Sequence, residues 1–218
     1  MIVQTDKTIT LAEQAYQIVE EMIVTLKLAP GTIFSETTLG EELGVGRTPL
    51  REALKKMTSE QLVVPIARRG IMVAEISITD QLQLLETRRV LDKLIVQRAA
   101  KRANTAEQAE FIRLGDLIFE ATMQQDLEAY IKADYEFDQL ITVVSNNKFA
   151  THAVAPLHVH SRRFWYAYQQ HGDWLKIAKN HQAMAQAIAQ QDGHMAGQLV
   201  DELIDYLLQF TKSILEEI

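Results

Sequence analysis

Arg47 and Arg51 are four residues apart, so any helix that carries them presents both on one face. An arginine on such a face can give two hydrogen bonds to the O6 and N7 of guanine. Thr48 stands between them and is short enough to reach a phosphate or a thymine methyl, while Lys55 continues the face toward a nucleic-acid backbone. Arg68, Arg69 and Gly70 make a second basic group able to reach phosphates or a minor groove. Residues 47–70 hold six basic side chains against Glu52 and Glu60, a local charge of +4 on a chain whose net charge is −7. A basic patch on an acidic chain is enough to dock on phosphates. The same charges also suit a solvated helix face, with Arg51 paired to Glu52 or Glu60.

These groups need particular elements to hold them. Ala15, Ile18, Val19, Met22, Ile23 and Leu26 recur at helical spacing and predict a helix over 11–28, which Pro30-Gly31 ends. Thr32-Ile33-Phe34 reads as a short extended piece. Ser35 caps a second helix that ends at Gly44, and Thr48 with Pro49 behind it opens a third, with Leu50, Ala53, Leu54 and Met57 as its apolar stripe. Two apolar runs, 62–66 and 71–76, flank Ala67-Arg68-Arg69-Gly70 and predict a β-hairpin. Helix, helix, tight turn, helix, basic hairpin is the order of a winged helix-turn-helix, whose third helix enters the major groove. From there on every long stretch reads as helix: 80–102, 106–124, 127–144, 148–170, 174–190 and 194–217, with Thr105 and Gln108 as a capping box. The expected fold is mainly α: a DNA-binding domain over 1–76, a linker at 77–80 with Thr79 or Asp80 as helix cap, and an antiparallel helical bundle over 81–218.

The stretch Leu28-Ala29-Pro30-Gly31-Thr32-Ile33-Phe34-Ser35-Glu36, followed by Leu39-Gly40-Glu41-Glu42-Leu43-Gly44-Val45-Gly46-Arg47-Thr48-Pro49-Leu50-Arg51-Glu52-Ala53-Leu54, resembles the GntR family of regulators. The resemblance implies that Arg47, Thr48, Arg51 and the wing around Gly70 contact an operator, with Thr37 near its backbone. Two positions depart from the family pattern. Gly46 stands where a serine is usual, and Gln61 where a glycine would ease a left-handed turn.

The second half is similar to the FCD domain of the FadR subfamily. Glu86-Thr87-Arg88-Arg89-Val90-Leu91-Asp92, Asp134-Tyr135-Glu136-Phe137-Asp138 and His181-Gln182-Ala183-Met184-Ala185-Gln186-Ala187-Ile188 carry the likeness. It implies a central effector cavity and, in many members, a divalent metal held by one Asp and three His. Here Asp134 and His181 match ligands, Asp138 replaces a histidine one turn on, and the remaining histidine position falls on Leu203. Three readings follow: an altered site in which Asp134, Asp138 and His181 hold one divalent metal per chain (Mn, Fe, Ni, Zn or Mg, the carboxylates favouring Mn, Mg or Fe); a metal-free cavity in which Asp134 and His181 meet the ligand directly; or a structural polar network. Arg88, if it faces the cavity, suits a small organic acid, or else an internal salt bridge to Asp92 or Asp134. His158 and His160, two apart, cannot act as joint ligands. Among Phe164, Trp165, Tyr166 and Tyr168, one or two are expected to wall the pocket.

Bulk composition bounds the rest. The chain has 218 residues, is 47% hydrophobic and has no cysteine, which leaves out disulfides and thiolate zinc. It carries no apolar run of transmembrane length and no leader-like N-terminus, so the expected location is cytoplasmic, with no membrane partner. A metal-activated water at Asp134, Asp138 and His181 would be the enzymatic alternative, but no nucleophile elbow or phosphate loop accompanies it. The function expected is that of a homodimeric, effector-responsive repressor on a palindromic operator.

Overall fold

A computed structural model describes residues 9–217. Of the ten N-terminal residues read for a leader, 1–8 lie outside the described residues. The chain divides into two units, one through Ile76 and one from Ser77 onward.

In the first unit, α1 (Leu11–Val24) opens on a capping box: the Thr10 side chain accepts from Glu13 N, and Thr10 N donates to Glu13 Oε2 at 2.9 Å. The helix stops four residues short of the expected end. Leu26 turns left-handed (φ 58°), and Leu28 N bonds back to Met22 O. Strand β1 (Ile33–Phe34) is followed by α2 (Glu36–Leu43), which Ser35 caps and the left-handed Gly44 closes. Helix α3 covers Arg47–Ser59. Its cap is Gly46, not Thr48. The chain enters the helix two residues early, and Pro49 falls inside the first turn, where its missing N–H has no helical partner to lose. Strands β2 (Val63–Ile66) and β3 (Gly70–Val73) form the wing, and β1 joins the far side of β3 to give the order β1-β3-β2, all antiparallel. Val19, Ile23, Leu50, Leu54, Met57 and Leu62 fill the space between α1, α3 and β2 with no more than 2% exposure each.

The second unit is six α-helices among the described residues. Helix α4 (Ile78–Arg102) has Ser77 as its cap, accepting from Asp80 N. Residues 78–80 are therefore its first turn and not a linker, and neither Thr79 nor Asp80 is the cap. Helix α5 (Thr105–Gln124) is boxed by Asn104 and Glu107, one position before the expected Thr105 and Gln108, because Asn104 supplies the extended backbone and a side-chain acceptor for two amides. Helices α6 (Leu127–Ser145) and α7 (Lys148–Tyr168) follow; a 3₁₀ turn at Gln169–His171 leads to α8 (Trp174–Ala189) and then α9 (Gly193–Glu217). Helix α4 packs against α6, α7 and α9, while α5 packs against α6 and α8. Short connections turn each helix back on its predecessor. Phe111, Leu114, Ile118, Phe137 and Ile188 fill the interior. No helix among the described residues is long and apolar enough to cross a membrane.

Candidate operator surface and effector cavity

Arg47 and Thr48 occupy the first two positions of α3 and are exposed, as are Arg51 and Lys55 further along. The expected partners of Arg51, Glu52 and Glu60, are not the ones it takes. Its Nε donates to Glu36 Oε2 at 2.9 Å, across to the start of α2, with the two side chains 57% and 33% exposed. Glu60 accepts instead from the Tyr16 hydroxyl at 2.6 Å. A pair this open contributes little stability and can give way to a phosphate or base. Thr37, the second residue of α2, is exposed.

At the wing tip Arg68 turns left-handed (φ 63°), and Arg68 and Arg69 are both exposed. Gly70 is half-buried with φ 114°, and a Cβ there would lie 2.4 Å from the Phe34 carbonyl oxygen. It is the turn that presents the two arginines, built where β1 crosses close to β3. Gln61, standing where a glycine was expected to ease the turn, is itself left-handed (φ 60°). Gly46 caps α3 without any side-chain hydrogen bond.

In the helical unit, side chains of α4, α6, α7, α8 and α9 line a cavity of about 60 Å³ that is partly open to solvent. A continuous chain of ion pairs runs along one wall. Arg88 Nε donates to Asp92 Oδ2 at 2.9 Å, and Arg88 Nη1 donates to Ser161 Oγ at 2.8 Å. The other Asp92 oxygen meets His158 Nε2 at 2.7 Å, and His158 Nδ1 meets Asp138 Oδ2 at 3.1 Å. Arg162 Nη1 donates to the same Asp138 oxygen at 2.9 Å. Opposite this chain, His181 Nε2 lies 3.3 Å from Asp134 Oδ1, and its Nδ1 donates to the Ile177 carbonyl at 3.0 Å.

Burial opposes ionisation of these carboxyls, and the cations decide between them. Asp92 is held below the ordinary carboxylate range because Arg88 and His158 outweigh its desolvation. Asp134 is likewise low, through His181, Arg162 and Arg88. Asp138 is pushed up by burial, with Asp134 repelling it, despite the cations beside it. Burial works against the His181 imidazolium, but the Asp134 hydrogen bond and charge outweigh it and hold His181 above its usual value. Burial, then Asp134 and Asp138, raise the Tyr130 phenol well above its usual value.

Asp134, Asp138, His181 and Arg88 are therefore brought to one cavity, and Leu203 lines it too. Arg88 takes the salt bridge to Asp92. The metal reading does not fit these residues. His181 is oriented as a ligand would be, with its far nitrogen tied to a carbonyl. Asp138, however, is engaged by a guanidinium and an imidazole, the Leu203 position offers no donor, and Arg162 and Arg88 act on Asp134 as well. No group of three or more metal-binding side chains is assembled among the described residues.

His158, Arg162, Asp92 and Trp165 were not anticipated as a group. Setting His158 against His160 concealed its neighbour one turn on: Val154, His158, Ser161, Arg162 and Trp165 form one helical stripe. Arg88 and Asp92 repeat that spacing on α4.

A winged helix-turn-helix unit and a helical unit whose cavity carries ionisable side chains, in one chain, mark a regulator of the ligand-sensing type, and comparison with known proteins gives the family. Residues 11–73 match the pattern of bacterial regulatory proteins of the gntR family, and residues 83–206 match the FCD domain. The chain belongs to the GntR family, with an FCD domain as its second half. It is 31% identical over 129 residues to the Nta operon transcriptional regulator of Aminobacter aminovorans, covering 58% of this chain and 60% of that one. It is 26% identical over 147 residues to the transcriptional repressor RspR of Escherichia coli, covering 67% of this chain and 64% of that one. The matched part thus spans under two thirds of these relatives' length. In fold it is similar to E. coli McbR/YncC, with a TM-score of 0.82 at 19% identity, covering 94% of this chain and 99% of that one.

Proposed function

We propose that this protein is a ligand-responsive transcriptional regulator, a repressor in its ground state, that binds a palindromic operator as a homodimer in the cytoplasm. The observation that carries the reading is the exposed set Arg47, Thr48 and Arg51 at the N-terminal end of α3, in the same unit as the Arg68–Arg69 wing tip. Two protomers double a modest contact surface and place two recognition helices one DNA turn apart. Thr37 adds a phosphate contact. A small organic acid in the helical cavity shifts the dimer between arrangements of different operator affinity. The repressor names among the relatives, RspR and the gluconate operon repressor of Bacillus subtilis, support the sign.

The test is fluorescence anisotropy on an operator selected from random duplexes, with sedimentation to count protomers. Arg47→Ala and Arg51→Ala should each weaken the selected site by about 1–3 kcal/mol, roughly 5- to 150-fold, and relax its sequence at one position per half-site. Arg69→Ala should weaken all sequences alike and reduce the salt slope by about one. Uniform loss from every variant would mean a non-specific basic surface.

A further inference from the structure

A groove of about 240 Å³, partly open to solvent, runs between α8 and α9. Among the described residues it shares only Ile177 and Leu203 with the central cavity. The short connection 190–192 makes the two helices antiparallel, so the other lining residues fall in order along the groove. Lys176 and Tyr206 stand at one end, Asn180 and Glu202 in the middle, and Ala183 and Leu199 at the other end. Asn180 Nδ2 donates to the Leu199 carbonyl at 3.0 Å, which fixes the amide and leaves Oδ1 buried with no hydrogen-bond partner among the described residues. A buried acceptor without a donor is costly, and folded proteins seldom keep one that nothing completes. The Tyr206 hydroxyl accepts from Asp173 N, so its own hydrogen is available to an acceptor. Lys176 Nζ lies 4.9 Å over the Tyr206 ring. Lys176, Lys179 and Glu202 line the groove without forming an ion pair among the described residues. The groove therefore offers an acceptor and an anion at its middle, a donor and cations toward one end, and an apolar floor at the other.

We propose that the α8–α9 groove is a second ligand site, which binds a small aliphatic α-amino acid as its zwitterion. The ammonium donates to Asn180 Oδ1 and to Glu202. The carboxylate accepts from the Tyr206 hydroxyl and from Lys176, with Lys179 alongside, and the side chain lies on Ala183 and Leu199. Lys176 and Asn180 are one helical turn apart, about 6 Å along α8, so one small molecule can reach both. Asn180 sets the selectivity. A simple acid leaves its Oδ1 unpaired, and a simple amine leaves the lysines without an anion. Ile177 and Leu203 back both spaces, so an amino acid in the groove bears on the wall of the central cavity. The site stands whether or not the central cavity is the effector site.

The experiment is calorimetry on the full chain with alanine, valine and leucine. Each is set against the acid that lacks its ammonium (propionate, isovalerate, isocaproate) and the amine that lacks its carboxylate (ethylamine, isobutylamine, isoamylamine). At least one amino acid should bind about tenfold or more tightly than both of its analogues, since each analogue loses one charge-assisted contact. Glu202→Gln and the double variant Lys176→Gln/Lys179→Gln should each weaken that amino acid by about tenfold. All three side chains are exposed, so these variants should keep the melting temperature within about 2 °C. None of the three lines the central cavity, so the loss reports on the groove alone. Asn180→Leu removes the buried acceptor and should cost a similar factor; if it does not fold, the charge variants decide. No binding of any of the three amino acids, or an analogue as tight as its amino acid, would overturn the proposal. So would unchanged affinity in the charge variants, which would place the amino acid in the central cavity instead, or wild-type affinity in a folded Asn180→Leu.

Discussion

Replacing Arg162 with methionine tests whether the ion-pair chain holds the helical unit together. The Arg162 and Asp138 side chains are only 6% and 13% exposed and meet at 2.9 Å. Removing one partner of a buried pair costs about 3–5 kcal/mol, because the other charge is left without its neutraliser. Asp138 keeps His158 at 3.1 Å, which puts the expected loss near the lower end, about 3 kcal/mol. Methionine retains much of the packing of the arginine stem, so the loss reports mainly on charge. For a unit of this size 1 kcal/mol moves the melting temperature by about 2–4 °C, so the drop should be roughly 6–12 °C. Both tryptophans, Trp165 and Trp174, lie in the helical unit, so urea denaturation followed by tryptophan fluorescence reads that unit alone. Adding Asp138→Asn should restore part of the loss, since it removes the stranded carboxylate. An Arg162→Met variant that stays within about 1 kcal/mol of the parent, or a double variant no better than the single, would show that the pair does not hold the unit together.

The same assay has a pH dependence. His181 is held above its ordinary 6.5, so the stability it contributes is fully present below that pH and fades as pH rises through the raised value. The urea midpoint should fall from pH 6.5 upward, and His181→Gln should flatten the slope; an unchanged slope would break the link to Asp134. Asp92 and Asp134, held low, act only below their ordinary 3.8 and leave this window alone. At the wing, Gly70→Ala would set a Cβ 2.4 Å from the Phe34 carbonyl oxygen at φ 114°. A loss on the order of 3 kcal/mol in the first unit is expected, with weaker operator binding, read by amide exchange in β1 and β3. Retained protection there would show that the wing turn relaxes cheaply.

Local chemistry determined most of the elements. Apolar spacing, Ser35, Gly44 and the Arg68–Arg69 turn place the helices and the wing because capping, left-handed glycine and short apolar runs around a turn act over a few residues. Cap positions slipped at Ser77 and Asn104, where several good capping side chains stand close together and the backbone selects one, and at Gly46, where extended backbone caps α3 with no side-chain hydrogen bond. What the sequence by itself could not decide was partnership. Arg51 had acidic neighbours on its own helix, yet it pairs with Glu36 fifteen residues back, because α2 packs across α3. Asp138 stood at a metal-ligand position, and only the approach of α7 gives it to Arg162 and His158. Charges attract without direction or sequence range, so which of them meet is settled by the packing of helices far apart in the chain.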